Sequence, residues 1–207
     1  MIANRKFVNI SLGMALLLPM LLHGAPRQAE ATSKILDSDF IVMFGDSITY
    51  GGEWERLLRR TNIITDGVVG DTTSGFLRRI PNVYFFNPRI CFIMGGINDI
   101  AKGVRVNQIY ENIRQMSIDL MQRNTIPVIQ STLLTRKLKY NGKVRKLNAL
   151  LRDFATENDL DFIDLNPQLS AGEMLKRKFT FDGIHLHRAA YRIWAGEIDK
   201  VLVKYNL

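Results

Sequence analysis

The chain has 207 residues, 46% hydrophobic and 23% charged, a balance that marks a globular protein and excludes a wholly disordered or collagen-like one. The length suffices for one domain with a sizeable core. Lys and Arg outnumber Asp and Glu by 28 to 20; the excess suits anionic partners or plain solubility, and no aromatic–basic interleaving or nucleic-acid motif directs it to DNA or RNA.

The N-terminal segment reads differently from the rest. Arg5 and Lys6 precede an apolar run from Val8 to Leu22, and a polar stretch then ends in Ala29-Glu30-Ala31. A positive start, a short apolar centre and an A-x-A site describe a secretory signal peptide. The run is short for a membrane span, which takes about 20 apolar residues; an uncleaved anchor is the competing reading. Residues 1–31 are therefore expected to be removed, leaving residues 32–207 as a single domain, secreted or periplasmic, with no stable membrane span. Cys91 is the only cysteine, so the fold has no intrachain disulfide to lean on.

Downstream, β-rich apolar runs predict strands at residues 40–44, 63–69, 90–94, 127–131 and 161–164. Apolar residues at helical spacing predict helices at 54–60, 73–80, 106–124, 143–158 and 189–205. This alternation predicts an α/β fold, a parallel sheet with helices on both faces. The first, third and fourth strands are apolar nearly throughout, as strands covered on both sides must be. In such folds ligands bind beyond the carboxyl ends of the strands, and the polar motifs follow those ends. Gly45-Asp46-Ser47 follows the first strand, Gly70-Asp71-Thr72 the second, and Gly96-Ile97-Asn98-Asp99 the third. Asp182-Gly183-Ile184-His185 precedes the last helix.

A serine hydroxyl needs a base within hydrogen-bond reach to act as a nucleophile. Of the three histidines, His23 lies in the signal segment, which leaves His185 and His187. Asp182 can accept the Nδ1–H of His185 and leave its Nε2 facing Ser47. Acyl transfer also needs donors for a developing oxyanion. The Ser47 N–H, the Gly70 N–H and the Asn98 side-chain amide are candidates.

With these blocks in order, the sequence resembles the SGNH hydrolases, the GDSL-type esterase and lipase family, over about residues 39–200. The resemblance maps the nucleophile to Ser47, the oxyanion donors to Ser47, Gly70 and Asn98, and the remaining catalytic pair to Asp182 and His185. It implies a three-layer α/β/α flavodoxin-like sandwich with a five-stranded parallel sheet, no metal and no organic cofactor. It points to the compact branch of acetylesterases and lysophospholipases. Two departures concern packing: Leu186 stands where the family often has proline, and Ala190 where it often has glycine. The expected substrate is a small ester, short-chain and acetyl in particular, on a carbohydrate or small alcohol. A lysophospholipid or acyl-thioester is the close competitor, and a non-catalytic binding module on the same scaffold is a reading of another class. The oligomeric state is open.

Other residues have simpler readings. Asp46 and Asp71 are expected to bond local backbone amides, Asp99 to serve as a turn or helix cap, and His187 to lie beside the site or on the surface. Asp182, His185 and His187 are metal-ligand types, but no further His or Cys completes a set. Arg136, Lys137, Lys139, Lys143, Arg145 and Lys146, with Lys176, Arg177 and Lys178, read as solvated faces. A sharper reading makes them a basic rim favouring an anionic ester.

Overall fold

A computed structural model describes residues 39–207; the expected signal peptide lies outside the described residues. Five strands, β1 (Ile41–Gly45), β2 (Ile63–Gly67), β3 (Ile90–Met94), β4 (Ile126–Gln130) and β5 (Phe162–Ile163), form one sheet in the order β2-β1-β3-β4-β5. Every pairing is parallel. The helices are α1 (Ser47–Tyr50), α2 (Trp54–Leu58), α3 (Thr73–Phe85), α4 (Ile97–Ala101), α5 (Val106–Met121), α6 (Leu138–Glu157), α7 (Asn166–Leu169) and α8 (Arg188–Lys204). The α3 helix packs on α5 and α5 on α6, while α2 packs on α8. The result is the expected α/β architecture with flavodoxin-like strand order. The chain's direction across the sheet reverses between β1 and β3, which opens a crevice beyond their carboxyl ends.

Burial explains the elements. Every residue of β1 and β3 is buried, as expected for central parallel strands. The edge strand β2 is largely half-exposed. Cys91, at 0% exposure in β3, has its thiol pKa raised by burial and behaves as a small apolar residue. Trp54 of α2 stacks edge-on to Trp194 of α8 with ring centroids 4.6 Å apart and also meets Tyr191. This aromatic cluster fastens α8 to the layer that carries α1: Trp54 Nε1 donates to the Thr49 carbonyl at 2.8 Å and the Tyr191 hydroxyl to the Ile48 carbonyl at 2.7 Å.

The structure departs from the sequence pattern in three places. The apolar spacing puts the end of α3 at Ile80, and the next residue, Pro81, lacks the N–H and crowds the preceding turn. The helix instead runs to Phe85. Pro81 is exposed, whereas Ile80 and Val83 are 3% and 1% exposed, so burial of the next turn outweighs the missing hydrogen bond. The α6 helix starts at Leu138, ahead of the expected residue 143, because its first turn is mostly polar and shows no apolar period. Between β5 and α8 the pattern predicts nothing. The structure places there α7, an antiparallel pair β6 (Ser170–Ala171) and β7 (Met174–Leu175), and a 3-10 turn, Arg177–Phe179. Elements this short are below the length at which periodicity is visible.

Candidate functional site

The sheet brings three of the motifs level. Gly45 pairs with Gly67 on one side and Met94 on the other, so the segments following β1, β2 and β3 emerge side by side. A Cβ on Gly45 would lie 2.1 Å from Thr49 Oγ1 and 2.6 Å from the Met94 carbonyl; only glycine lets the chain turn here. Asp46 then caps α1, its Oδ1 accepting the Ile48 N–H at 2.9 Å. Ser47 is thereby the first residue of α1, half-buried at the crevice.

The segment before α8 supplies the imidazole. Ser47 Oγ is 3.0 Å from His185 Nε2, and His185 Nδ1 is 2.6 Å from Asp182 Oδ2. The other Asp182 oxygen accepts the backbone N–H groups of Ile184 and His185 at 2.9 and 2.8 Å. Although burial opposes it, these hydrogen bonds hold the Asp182 carboxyl below its ordinary value, so it is an anion at neutral pH and takes the Nδ1–H. Nε2 is then a lone-pair acceptor for the Ser47 hydroxyl. Gly183 makes the tight turn between Asp182 and His185 with φ of 93°, a left-handed conformation that suits glycine. Its carbonyl accepts the Arg136 N–H at 2.9 Å. Thr180 braces the turn, its Oγ1 donating to the His185 carbonyl at 2.7 Å and accepting the Gly183 N–H at 2.9 Å.

Donors face the same crevice. Gly70 is exposed, with φ of 73° and open space where a Cβ would stand. Among the described residues the N–H groups of Ser47 and Gly70 have no hydrogen-bond acceptor in the protein. Asn98 Nδ2 donates to the Asp71 carbonyl at 2.9 Å and lies 3.4 Å from Asp46 Oδ2. One amide hydrogen therefore ties the loop after β2 to α4, and the other has only a long contact. Ser47, His185 and Asp182 thus form one hydrogen-bonded chain, and Gly70 and Asn98 follow the carboxyl ends of the two strands that flank β1. The arrangement can transfer a proton from Ser47 to His185 and place N–H groups around a neighbouring oxygen.

The simpler readings also find their places. Asp71 Oδ1 accepts the Thr72 N–H at 2.9 Å, a local bond of the expected kind. Asp99 caps a helix, but a distant one: it accepts the Thr73 N–H at the start of α3 and the Thr73 hydroxyl, the latter at 2.7 Å. His187 is exposed and precedes α8. The basic clusters divide. Arg136 donates to the Leu175 carbonyl at 3.1 Å, Arg145 pairs with Glu173 at 3.2 Å, and Lys176 donates to the Gln168 carbonyl at 2.7 Å. Lys143 and Lys146 line a separate cavity beside the start of α5.

Sequence reasoning missed the residues that hold the loops. Arg79 of α3 donates to Asp71 at 2.8 Å, to Asp66 at 2.6 Å and to the Gly45 carbonyl at 2.6 Å, while its guanidinium lies 4.2 Å from the Phe44 ring centroid. It joins the ends of β1 and β2 to the loop carrying Gly70. The available signal is an arginine beside the apolar stripe formed by Phe76, Ile80 and Val83. The segment after β4 is held by asparagines. Asn148 bonds both the N–H and the carbonyl of Thr132, Asn141 does the same for Thr135, and Asn166 accepts from Leu134 N–H and donates to Thr132.

Asp46 sets a pH dependence. Burial pushes its carboxyl up to about 7, against the lowering by the Ile48 N–H and His185. The folded state thus keeps a proton that the unfolded state loses near the ordinary value of 3.8. Stability is unaffected by this group below that value, falls as pH rises between it and about 7, and is flat above. The slope expected is on the order of 1.4 kcal/mol per pH unit. Asp46→Asn keeps an oxygen for the Ile48 N–H and removes the titration. Urea unfolding at pH 5 and 8 should show a smaller decline for the variant than for the parent; equal declines would reject the assignment.

Known proteins resemble this chain in sequence and in fold. The family model of the GDSL-like lipase/acylhydrolases matches residues 43–193. N-acylneuraminate cytidylyltransferase of Streptococcus agalactiae is 29% identical over 124 residues, 58% of this chain but 30% of that protein. The chain therefore spans less than a third of that relative's length. Thioesterase 1/protease 1/lysophospholipase L1 of Escherichia coli is 26% identical over 186 residues, covering 83% of this chain and 86% of that protein. In fold, a GDSL-like lipase from Bacteroides thetaiotaomicron superposes with a TM-score of 0.75 at 23% identity, covering 87% of this chain and 98% of that one.

Proposed function

The chain belongs to the GDSL-like lipase/acylhydrolase family; from that premise we propose that it is a carboxylic ester hydrolase, working as a serine esterase through an acyl-enzyme on Ser47. The observation that carries the proposal is the hydrogen-bonded chain from Ser47 through His185 to Asp182. Ser47 Oγ attacks the ester carbonyl carbon while His185 Nε2 takes its proton. Asp182 holds the imidazole and stabilises its positive charge. The carbonyl oxygen becomes an oxyanion received by the N–H groups of Ser47 and Gly70 and by the Asn98 amide. His185 then protonates the departing alkoxide, and the C–O bond to the alcohol breaks. Water, deprotonated by the same nitrogen, attacks the acyl carbon; the bond to Ser47 Oγ breaks, His185 returns the proton to that oxygen, and the acid leaves.

The substrate we propose is a short-chain ester, acetyl in particular, on a carbohydrate or small alcohol. The site is open: the side chains of His185 and Asp182 are 37% and 42% exposed, and Gly70 is exposed beside them. No long enclosed groove is needed for an acetyl group. The Streptococcus relative, whose name carries an N-acylneuraminate, favours a sugar setting. The Escherichia coli relative's name favours a second reading, hydrolysis of acyl-thioesters or lysophospholipids, and exposed Lys137 and Lys139 suit an anionic ester of that kind. Export from the cytoplasm, with cleavage after the A-x-A site, completes the proposal. A panel of p-nitrophenyl esters from acetyl to palmitoyl, with acetylated sugars, lysophosphatidylcholine and an acyl-thioester, separates the readings. The short-chain reading expects the highest kcat/KM on acetyl esters, falling at least tenfold by octanoyl. A maximum on palmitoyl esters or lysophosphatidylcholine would replace it with the second.

A further inference from the structure

Phe181 is an aromatic side chain that the mechanism does not use. It is 66% exposed, whereas Trp54, Trp194, Phe44 and Phe76 are all at 1% or less. Its ring stands nearly parallel to that of His185, 13° between planes with centroids 5.8 Å apart, and 5.7 Å from the ring of His187. That separation with near-parallel planes is an offset stack, so the Phe181 ring extends beyond His185 and remains open to solvent.

The chemistry says what passes there. The leaving alkoxide takes its proton from His185 Nε2, so the alcohol part of the ester departs past the Nε2 edge of the imidazole, while the carbonyl oxygen is received by Gly70 and Asn98 in the mechanism above. The alcohol therefore leaves beside His185, the residue against which the Phe181 ring is stacked. A flat apolar face flanked by exposed imidazole and by Asp182, itself 42% exposed, suits a group with one apolar face and a polar rim. A sugar ring has this form: its axial C–H groups can lie on the aromatic face and its hydroxyls on the surrounding polar groups. A long alkyl chain would call for an enclosed apolar groove instead. We infer that Phe181 is a stacking platform for the sugar ring of the ester's alcohol, an assignment that rests on the carbohydrate-ester reading above and makes Phe181 a specificity-determining residue.

The test compares two acetyl esters on the full chain, a methyl 6-O-acetylglucopyranoside and ethyl acetate, in wild type, Phe181→Ala and Phe181→Trp. The ratio of kcat/KM for the sugar ester to that for ethyl acetate should fall about tenfold in Phe181→Ala, the size expected for losing one aromatic stacking contact, and the loss should appear in KM for the sugar ester. Phe181→Trp should hold the ratio within about twofold of wild type. An unchanged ratio in Phe181→Ala overturns the inference: if both activities fall together the ring serves only His185, and if neither moves it serves neither. A wild-type enzyme that hydrolyses ethyl acetate but not the acetylated sugar overturns the carbohydrate reading itself, a result distinct from an unchanged ratio.

Discussion

Replacing Ser47 with alanine should lower kcat on p-nitrophenyl acetate by about 10⁴–10⁶-fold, the range seen when a serine nucleophile is removed from a base and oxyanion donors that stay in place. The fold should survive. The Ser47 side chain has one hydrogen-bond partner, His185 Nε2 at 3.0 Å, and α1 is capped by Asp46 rather than by Ser47. The loss should therefore appear with circular dichroism and the thermal midpoint close to those of the parent. His185→Ala should approach the same floor, because the hydroxyl without its base is a poor nucleophile. Combining the two should cost little more than either alone, since they act as one unit. Retained turnover in Ser47→Ala would remove the acyl-enzyme from the mechanism.

The second large effect is expected at Asn98. Asn98→Ala should reduce kcat by about 10²–10³-fold, the usual cost of losing one oxyanion donor, with KM changed little, because the donor strengthens its bond only as charge develops on the carbonyl oxygen. Asn98 has a second duty, its 2.9 Å bond to the Asp71 carbonyl, which positions the loop that carries Gly70. The two duties separate on comparison with Arg79, which holds the same loop through the Asp71 side chain rather than through its carbonyl. If loop support alone mattered, removal of either anchor would have similar consequences for kcat. If the amide itself meets the oxyanion, Asn98→Ala should be the more damaging of the two while being the milder in stability, because Arg79 is the half-buried partner of two carboxylates. A rise in KM that matched the fall in kcat/KM would instead make Asn98 a ground-state binding group.

The sheet was legible because central parallel strands must be apolar nearly throughout, and β1, β3 and β4 are, with Gln130 of β4 the polar exception. The site was legible because this fold gathers the residues following successive strands at one end. Ser47, Gly70 and Asn98 could therefore be grouped from their places after three apolar runs, and Asp182 and His185 from their spacing before the last helix. What escaped was held by long-range bonds. Arg79 reaches the Gly45 carbonyl across 34 positions and Asn141 the Glu173 carbonyl across 32, and a backbone carbonyl leaves no mark on a sequence. Asp99 was read as a cap, correctly in kind, but the helix it caps begins 26 positions earlier. The last turn of α3 escaped because it follows an exposed proline and is held by the burial of Val83. Nothing in the sequence distinguishes Phe181 from a core aromatic; its exposure together with its stacking on His185 is a property of the folded chain.

The most direct test of the account is covalent labelling of the folded enzyme with a fluorophosphonate, which reacts with a serine only where a base and oxyanion donors have activated it. The account predicts one adduct per chain, located by peptide mass spectrometry on Ser47, absent in Ser47→Ala and strongly slowed in His185→Ala. A folded wild-type chain that takes no label, or that carries it on another residue, would contradict it.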